Sequence, residues 1–166
     1  MMTPTTRHAS GGSPGFSVSE ALVVIALMGI FVLFGGPAMA DAYRAYKVRS
    51  VADVLSTDLR AMRYAAVATR ASRSMTVNTQ GHPSAPNQYT FVNAKADSVT
   101  RPVESGVNIE DASDTSITFT MTGGTGSSSS LTLLVSMDIN SDRGDRYTID
   151  VSPTGTVTTS FAYYTP

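Results

Sequence analysis

The strongest hydrophobic feature is the run from Ala21 to Ala40, twenty residues without a charged side chain. At a rise of 1.5 Å per residue, a helix of that length spans about 30 Å, the thickness of a bilayer core. The run therefore predicts a membrane-spanning helix. It carries Gly29, Gly35, Gly36 and Pro37, which are poor helix residues in water but tolerated in membranes and packed bundles. A local kink or melted turn is expected near Gly35–Pro37, with Pro37 as the kink residue. Past Pro37 the pattern changes period instead of stopping. Val48, Val51, Leu55, Leu59, Met62 and Ala66 recur at three- and four-residue steps and form one apolar helix stripe. Asp53, Arg60, Arg63 and Arg70 fall on other faces. The pattern predicts one long helix from about Phe16 to about Ser72, apolar all round at first and amphipathic afterwards.

After Arg73 the period shortens. Apolar or Thr-rich runs at Met75–Val77, Tyr89–Val92, Val107–Ile109, Ile117–Met121, Leu131–Met137, Tyr147–Val151 and Thr156–Phe161 are separated by turn residues. They predict an antiparallel sheet or a small two-sheet sandwich. Ile117, Phe119 and Met121 alternate with threonines and are expected on the buried face. The fold class is α+β, with the amphipathic half of the helix packed on the C-terminal sheet. Four segments follow: 1–15 as a leader, 16–40 as the apolar helix, 41–73 as the amphipathic helix, and 74–166 as the β domain. The first fifteen residues are polar, rich in Gly, Pro, Ser and Thr, and read as unstructured.

Net charge is −1, which hides an asymmetry. Between Asp41 and Arg73 there are seven basic and three acidic residues; from Ser74 onward there are four basic and nine acidic ones. This is not the strongly basic footprint of a nucleic-acid binder. The chain has no cysteine, which excludes disulfides and thiolate chemistry. His8 lies in the leader and His82 in a Gly-Pro-flanked loop, with no nucleophile or metal pattern attached, so no catalysis is expected.

Gly15-Phe16-Ser17-Val18-Ser19-Glu20 stands at the mouth of the apolar helix. It resembles the prepilin peptidase site of type IV pilins and pseudopilins, although Ser17 and Ser19 replace the commoner Thr and Leu. The resemblance implies cleavage between Gly15 and Phe16 on the cytoplasmic side, followed by methylation of the Phe16 amine. It also implies that the Glu20 carboxylate pairs with the Phe16 amine of a neighbouring subunit. A carboxylate at the edge of a lipid span is costly if buried without a partner; placement at headgroup level or a helix-capping role would also account for it. Many members of the family carry a proline where Pro37 stands. The implied partners are other pilin or pseudopilin subunits, the prepilin peptidase, and the inner membrane before assembly, with the β domain in the periplasm. Arg44, Lys47 and Arg49 just beyond the span would by charge alone favour the opposite orientation, so the topology rests on the cleavage motif.

The same region admits another reading. Ala38-Met39-Ala40 before Asp41 fits the A-x-A site of a secretory signal peptide, with Ala21–Phe34 as its apolar core. That would release a secreted β-sandwich binding module after Ala40. The leader has only Arg7 and the terminal amine as positive charge, and the helical stripe runs on past Ala40, both of which count against it.

The Arg- and Ala-rich helix end, Leu59 to Ala65, leading through Arg70 into Val77, is similar to the GspH/FimT group of minor pilins and pseudopilins. Ser152-Pro153-Thr154-Gly155 would match a late turn in that group. Some members acting in DNA uptake carry a Gly-Arg-x-Arg element near the C-terminus. Here the stretch is Gly155-Thr156-Val157-Thr158, without either arginine, so phosphate neutralisation would be poor and nucleic acid is not an expected partner.

Asp138, Asn140 and Asp142 offer oxygen ligands at alternate positions, with Asp145 three residues on, a weak calcium pattern. An EF-hand would place Gly one position before Gly144 and Glu where Ile149 stands. The competing reading is an Asx-rich hairpin turn closed by Gly144. Arg143-Gly144-Asp145 spells an adhesion tripeptide, most simply by chance. No cofactor is expected, calcium being the single candidate. Together these readings predict a non-catalytic minor subunit of a type IV pilus or type II secretion pseudopilus.

Overall fold

A computed structural model describes residues 15–78, 88–111 and 116–166. The leader residues 1–14 with His8, and His82, lie outside the described residues.

One helix, α1 (Val18–Thr69), precedes eight strands: β1 (Arg73–Asn78), β2 (Gln88–Val92), β3 (Ser98–Pro102), β4 (Asn108–Asp111), β5 (Ser116–Phe119), β6 (Leu131–Asn140), β7 (Arg143–Val151) and β8 (Val157–Tyr164). All strand pairs are antiparallel. They form two four-stranded sheets, ordered β3-β2-β1-β5 (sheet A) and β4-β6-β7-β8 (sheet B). Chain contacts separate the residues up to Met39 from a larger unit, Ala40–Pro166.

In the larger unit, the predicted stripe is the core side of α1. Val48, Ala52, Leu55, Leu59, Met62 and Ala66 are buried together with Met75, Val77, Ile117 and Phe119 of sheet A and Leu133, Val135, Ile149 and Val151 of sheet B. Val51 packs at the margin of this cluster. Polar ties fix the helix to both sheets. Arg44 donates to the carbonyl of Ile139, and Lys47 donates to that of Ser105 at 2.7 Å. Asp58, buried on α1, accepts from the Tyr89 hydroxyl at 2.7 Å and meets Arg101 Nε at 3.1 Å. Burial, and then the hydrogen bond to the Asp58 carboxylate, push the Tyr89 phenol above its ordinary value.

Several expectations are corrected. Gly35, Gly36 and Pro37 lie inside the helical range, which removes the melted turn and leaves the kink at Pro37 as the expectation there. The helix stops at Thr69 rather than near Ser72, because Arg70 takes a left-handed conformation (φ 50°) and the Ala71 amide caps the carbonyl of Ala66. Strand β3 was not expected. It is an edge strand in which only Val99 is half-buried, so it leaves no period-2 signature. Met121 is exposed, not buried: β5 ends at Phe119 and a turn follows, in which the Gly123 amide bonds the Thr120 carbonyl. Gly144 does not close the hairpin turn. It lies within β7, opposite Tyr164 of β8.

A corner joins the end of α1 to sheet B. Arg63 Nε donates to Gly123 O at 3.2 Å and its Nη2 to Thr154 O at 3.3 Å, while the Thr125 amide bonds Pro153 O at 3.0 Å. Gly155, at φ +79°, closes the Ser152–Thr156 turn. A Cβ on Gly155 would overlap the carbonyl oxygen of Gly123 and come within 3.0 Å of Arg63 Nε.

Candidate assembly surface

The start of α1 is set by Ser17. Its hydroxyl accepts the Glu20 amide at 3.2 Å and its carbonyl accepts the Glu20 and Ala21 amides at 3.1 and 3.2 Å. Ser17 is thus the N-cap and Glu20 the third helical residue, the positions of a capping box. The carboxylate also sits in the first turn, where the helix dipole favours negative charge. Glu20 is exposed and, among the described residues, forms no salt bridge. Gly15 has open space around it, and Phe16 is exposed.

From Phe16 through Leu33 the apolar side chains whose placement is described are exposed. Gly29, Gly35 and Gly36 also face open space. The helix is long and apolar enough to cross a membrane.

In the larger unit α1 carries a second stripe that the sequence reading missed. Tyr43, Tyr46, Ser50, Val54, Thr57, Ala61, Tyr64 and Ala68 recur at three- and four-residue steps. At 100° per residue they lie diametrically opposite Val48, Ala52, Leu55, Leu59, Met62 and Ala66. None is charged, and all are exposed except half-buried Ser50. The signal was present in the sequence as a second helical series, visible once the core stripe is removed. Arg49, Asp53 and Arg60 flank the stripe on one side, with Arg49 and Asp53 paired at 3.7 Å.

The calcium candidates all belong to the β6–β7 hairpin, but their oxygens turn to different partners. Asp138 accepts from the Tyr164 hydroxyl. Asn140 donates to Asp41 at 3.0 Å, and its carbonyl oxygen accepts the Asp142 amide at 3.0 Å, an Asx turn. Asp145 is buried and holds Arg143 through two bonds at 2.8 and 3.0 Å. That bidentate grip raises the Arg143 pKa further. Among the described residues no group of three or more His, Cys, Asp or Glu side chains is placed to hold a metal ion. In the Gly155–Thr158 stretch, Thr156 and Thr158 are exposed, and the guanidinium groups at this corner come from the helix: Arg63 donates to Thr154 O at 3.3 Å and Arg60 to Val157 O at 3.4 Å.

The type IV minor pilin FimU of Pseudomonas aeruginosa (strain PAO1) has a similar structure. In one crystal form the match has a TM-score of 0.52 at 18% identity, covering 70% of this chain and 90% of FimU. The fold is that of a minor pilin. A second crystal form of FimU matches with a TM-score of 0.49 at 19% identity, covering 68% of this chain and 91% of that one. No protein-family model and no curated protein sequence matches the chain. The pilin-like fold accounts for the α+β class and the long helix on antiparallel sheets expected from the sequence.

Proposed function

We propose that the chain is a non-catalytic structural subunit of a type IV pilus or a type II secretion pseudopilus, assembled through α1. The observation that carries this reading is a helix with apolar surface left over: exposed around its first part, and along one uncharged side of the larger unit. A folded protein has no reason of stability to expose such a rod, whereas a subunit that first sits in a membrane and then packs with its fellows does. The minor pilin fold supports the same reading.

In this reading the prepilin peptidase cuts between Gly15 and Phe16 and the Phe16 amine is methylated. The apolar helix anchors the subunit in the inner membrane until assembly. Glu20 then pairs with the Phe16 amine of the next subunit, where removal from water strengthens the attraction. Its place at the third helical position leaves the carboxylate free to do so while the Ser17 hydroxyl caps the helix. Expression in a cell that assembles such filaments tests this: Glu20→Ala should lose most incorporation, and Ser17→Ala should retain it. Undiminished incorporation of Glu20→Ala would overturn the pairing.

One observation favours the secreted reading, namely that the larger unit begins at Ala40, next to the A-x-A site. N-terminal sequencing of the mature protein separates the two, with Phe16 expected for the pilin and Asp41 for the secreted module.

A further inference from the structure

A helical run that fills a bilayer core fixes the depth of the residues that follow it. The uncharged run ends at Ala40, and Tyr43 and Tyr46 stand three and six residues further along α1. That is about 4.5 and 9 Å of helix. The headgroup zone on each side of the core is about 5–8 Å deep, so both residues fall in that zone or at its outer margin. Tilt of the helix only brings them nearer. Tyr43 is 64% exposed and Tyr46 68%, and at a spacing of three they share one face. Helical side chains lean toward the N-terminal end of their helix, which here is the membrane end. Both phenols therefore lean back toward lipid. Tyrosine, apolar in its ring and polar at its tip, is a side chain that this boundary favours.

Sheet B reaches the same level. Asn140, at the end of β6, donates to Asp41 at 3.0 Å, and Arg44 donates to the carbonyl of Ile139. Asp41 directly follows the uncharged run. These bonds hold the tip of the β6–β7 hairpin, with Ser141 and Asp142 exposed, beside the first turn of helix past the run.

We propose that Tyr43, Tyr46 and the tip of the β6–β7 hairpin rest in the headgroup zone of a phospholipid bilayer while the subunit awaits assembly. The proposal rests on the membrane stage of the filament-subunit reading and adds which surface of the larger unit meets lipid. Tyrosine rather than charge makes the contact. Arg44 and Lys47 are turned to the carbonyls of Ile139 and Ser105. Lys47 also meets Glu104 at 3.6 Å, and Arg49 meets Asp53 at 3.7 Å. The hairpin tip adds the exposed carboxylate of Asp142. Among the described residues no free basic cluster is left at this level to select anionic lipid, so zwitterionic lipid suffices.

The chain has no tryptophan, so a single replacement reports depth by fluorescence. The full chain in phosphatidylcholine nanodiscs is made as Phe31→Trp, Tyr43→Trp, Tyr46→Trp, Tyr64→Trp and Ser141→Trp, with a nitroxide lipid labelled either at the headgroup or deep in the acyl chain. Tyr43→Trp, Tyr46→Trp and Ser141→Trp should be quenched about threefold more by the headgroup label than by the deep one. Phe31→Trp, in the middle of the run, should show the reverse. Tyr64→Trp, 24 residues past Ala40, should be quenched by neither. Adding phosphatidylglycerol should leave these ratios unchanged. If Phe31→Trp is quenched by the deep label while Tyr43→Trp and Tyr46→Trp, or Ser141→Trp, are quenched by neither, the proposal falls and the membrane reading stands. Headgroup quenching that requires phosphatidylglycerol would show a charge contact and overturn it. So would Tyr64→Trp quenched like Tyr46→Trp, which would lay the whole helix on the surface. Phe31→Trp unquenched by the deep label overturns the proposal and the membrane reading together.

Discussion

The Tyr164 ring lies against Gly144, its partner across the β7–β8 ladder. A Cβ on Gly144 would come within 2.7 Å of ring atom Cε2 and closer still to Cζ and Cε1. Glycine is therefore required by the ring and not by a turn. The ring is held from its other sides: Arg146 stacks 4.7 Å from its centroid and its hydroxyl bonds Asp138. Burial and that bond push the phenol up to about 12. Gly144→Ala should destabilise the protein by about 1–3 kcal/mol, the usual cost of overpacking. In a Tyr164→Ala background the same change should cost little, because the obstacle has gone. Urea unfolding of the four proteins in this cycle measures the coupling.

The Asp58–Tyr89 bond gives a prediction in pH. The Tyr89 phenol is raised above the ordinary value of 10.0, so its contribution is whole below pH 10 and is lost as pH rises through the higher folded value. The wild type should lose stability above pH 10 more steeply than Tyr89→Phe. At neutral pH Tyr89→Phe should cost about 1–3 kcal/mol, since the buried carboxylate loses a donor. Thermal unfolding from pH 7 to 11 checks both.

Opposite sides of α1 should respond differently to substitution. Leu59→Ala empties part of a fully buried site and should cost about 2–5 kcal/mol. Tyr64→Ser, on the outward stripe, should change stability by no more than about 0.5 kcal/mol yet reduce incorporation into filaments. Denaturation midpoints and filament content, measured on the same two variants, separate packing from assembly.

At the corner, Gly155→Ala forces a Cβ into the Gly123 carbonyl at a left-handed φ. The loss should be about 3 kcal/mol or more, larger than that of Gly126→Ala, whose Cβ would meet only the Thr120 methyl at 3.4 Å. The difference in melting temperature between the two reads it directly.

Much of this architecture was legible because periodicity reports burial. The stripe from Val48 to Ala66 and the alternation in β6 follow directly from which side chains must leave water. Features set by contacts between distant residues were not legible. Nothing in Ser98–Pro102 announces β3, because an edge strand with one half-buried side chain has no alternation to show. Gly144 looked like a turn residue because its neighbours are Asx-rich, and only Tyr164, twenty residues on, explains it. The outward stripe was present in the sequence but masked by the search for a single buried face. Glu20 kept both of its readings, since its cap position is compatible with a free carboxylate.

Arg63 also bears on the order in which the molecule takes shape. Its two carbonyl partners lie 60 and 91 residues along the chain, and contacts of such separation pay a large loop-closure cost before they return anything. The corner should therefore close after the transition state for folding. Arg63→Ala should speed unfolding while leaving the folding rate nearly unchanged, so this guanidinium acts as a latch on the finished protein.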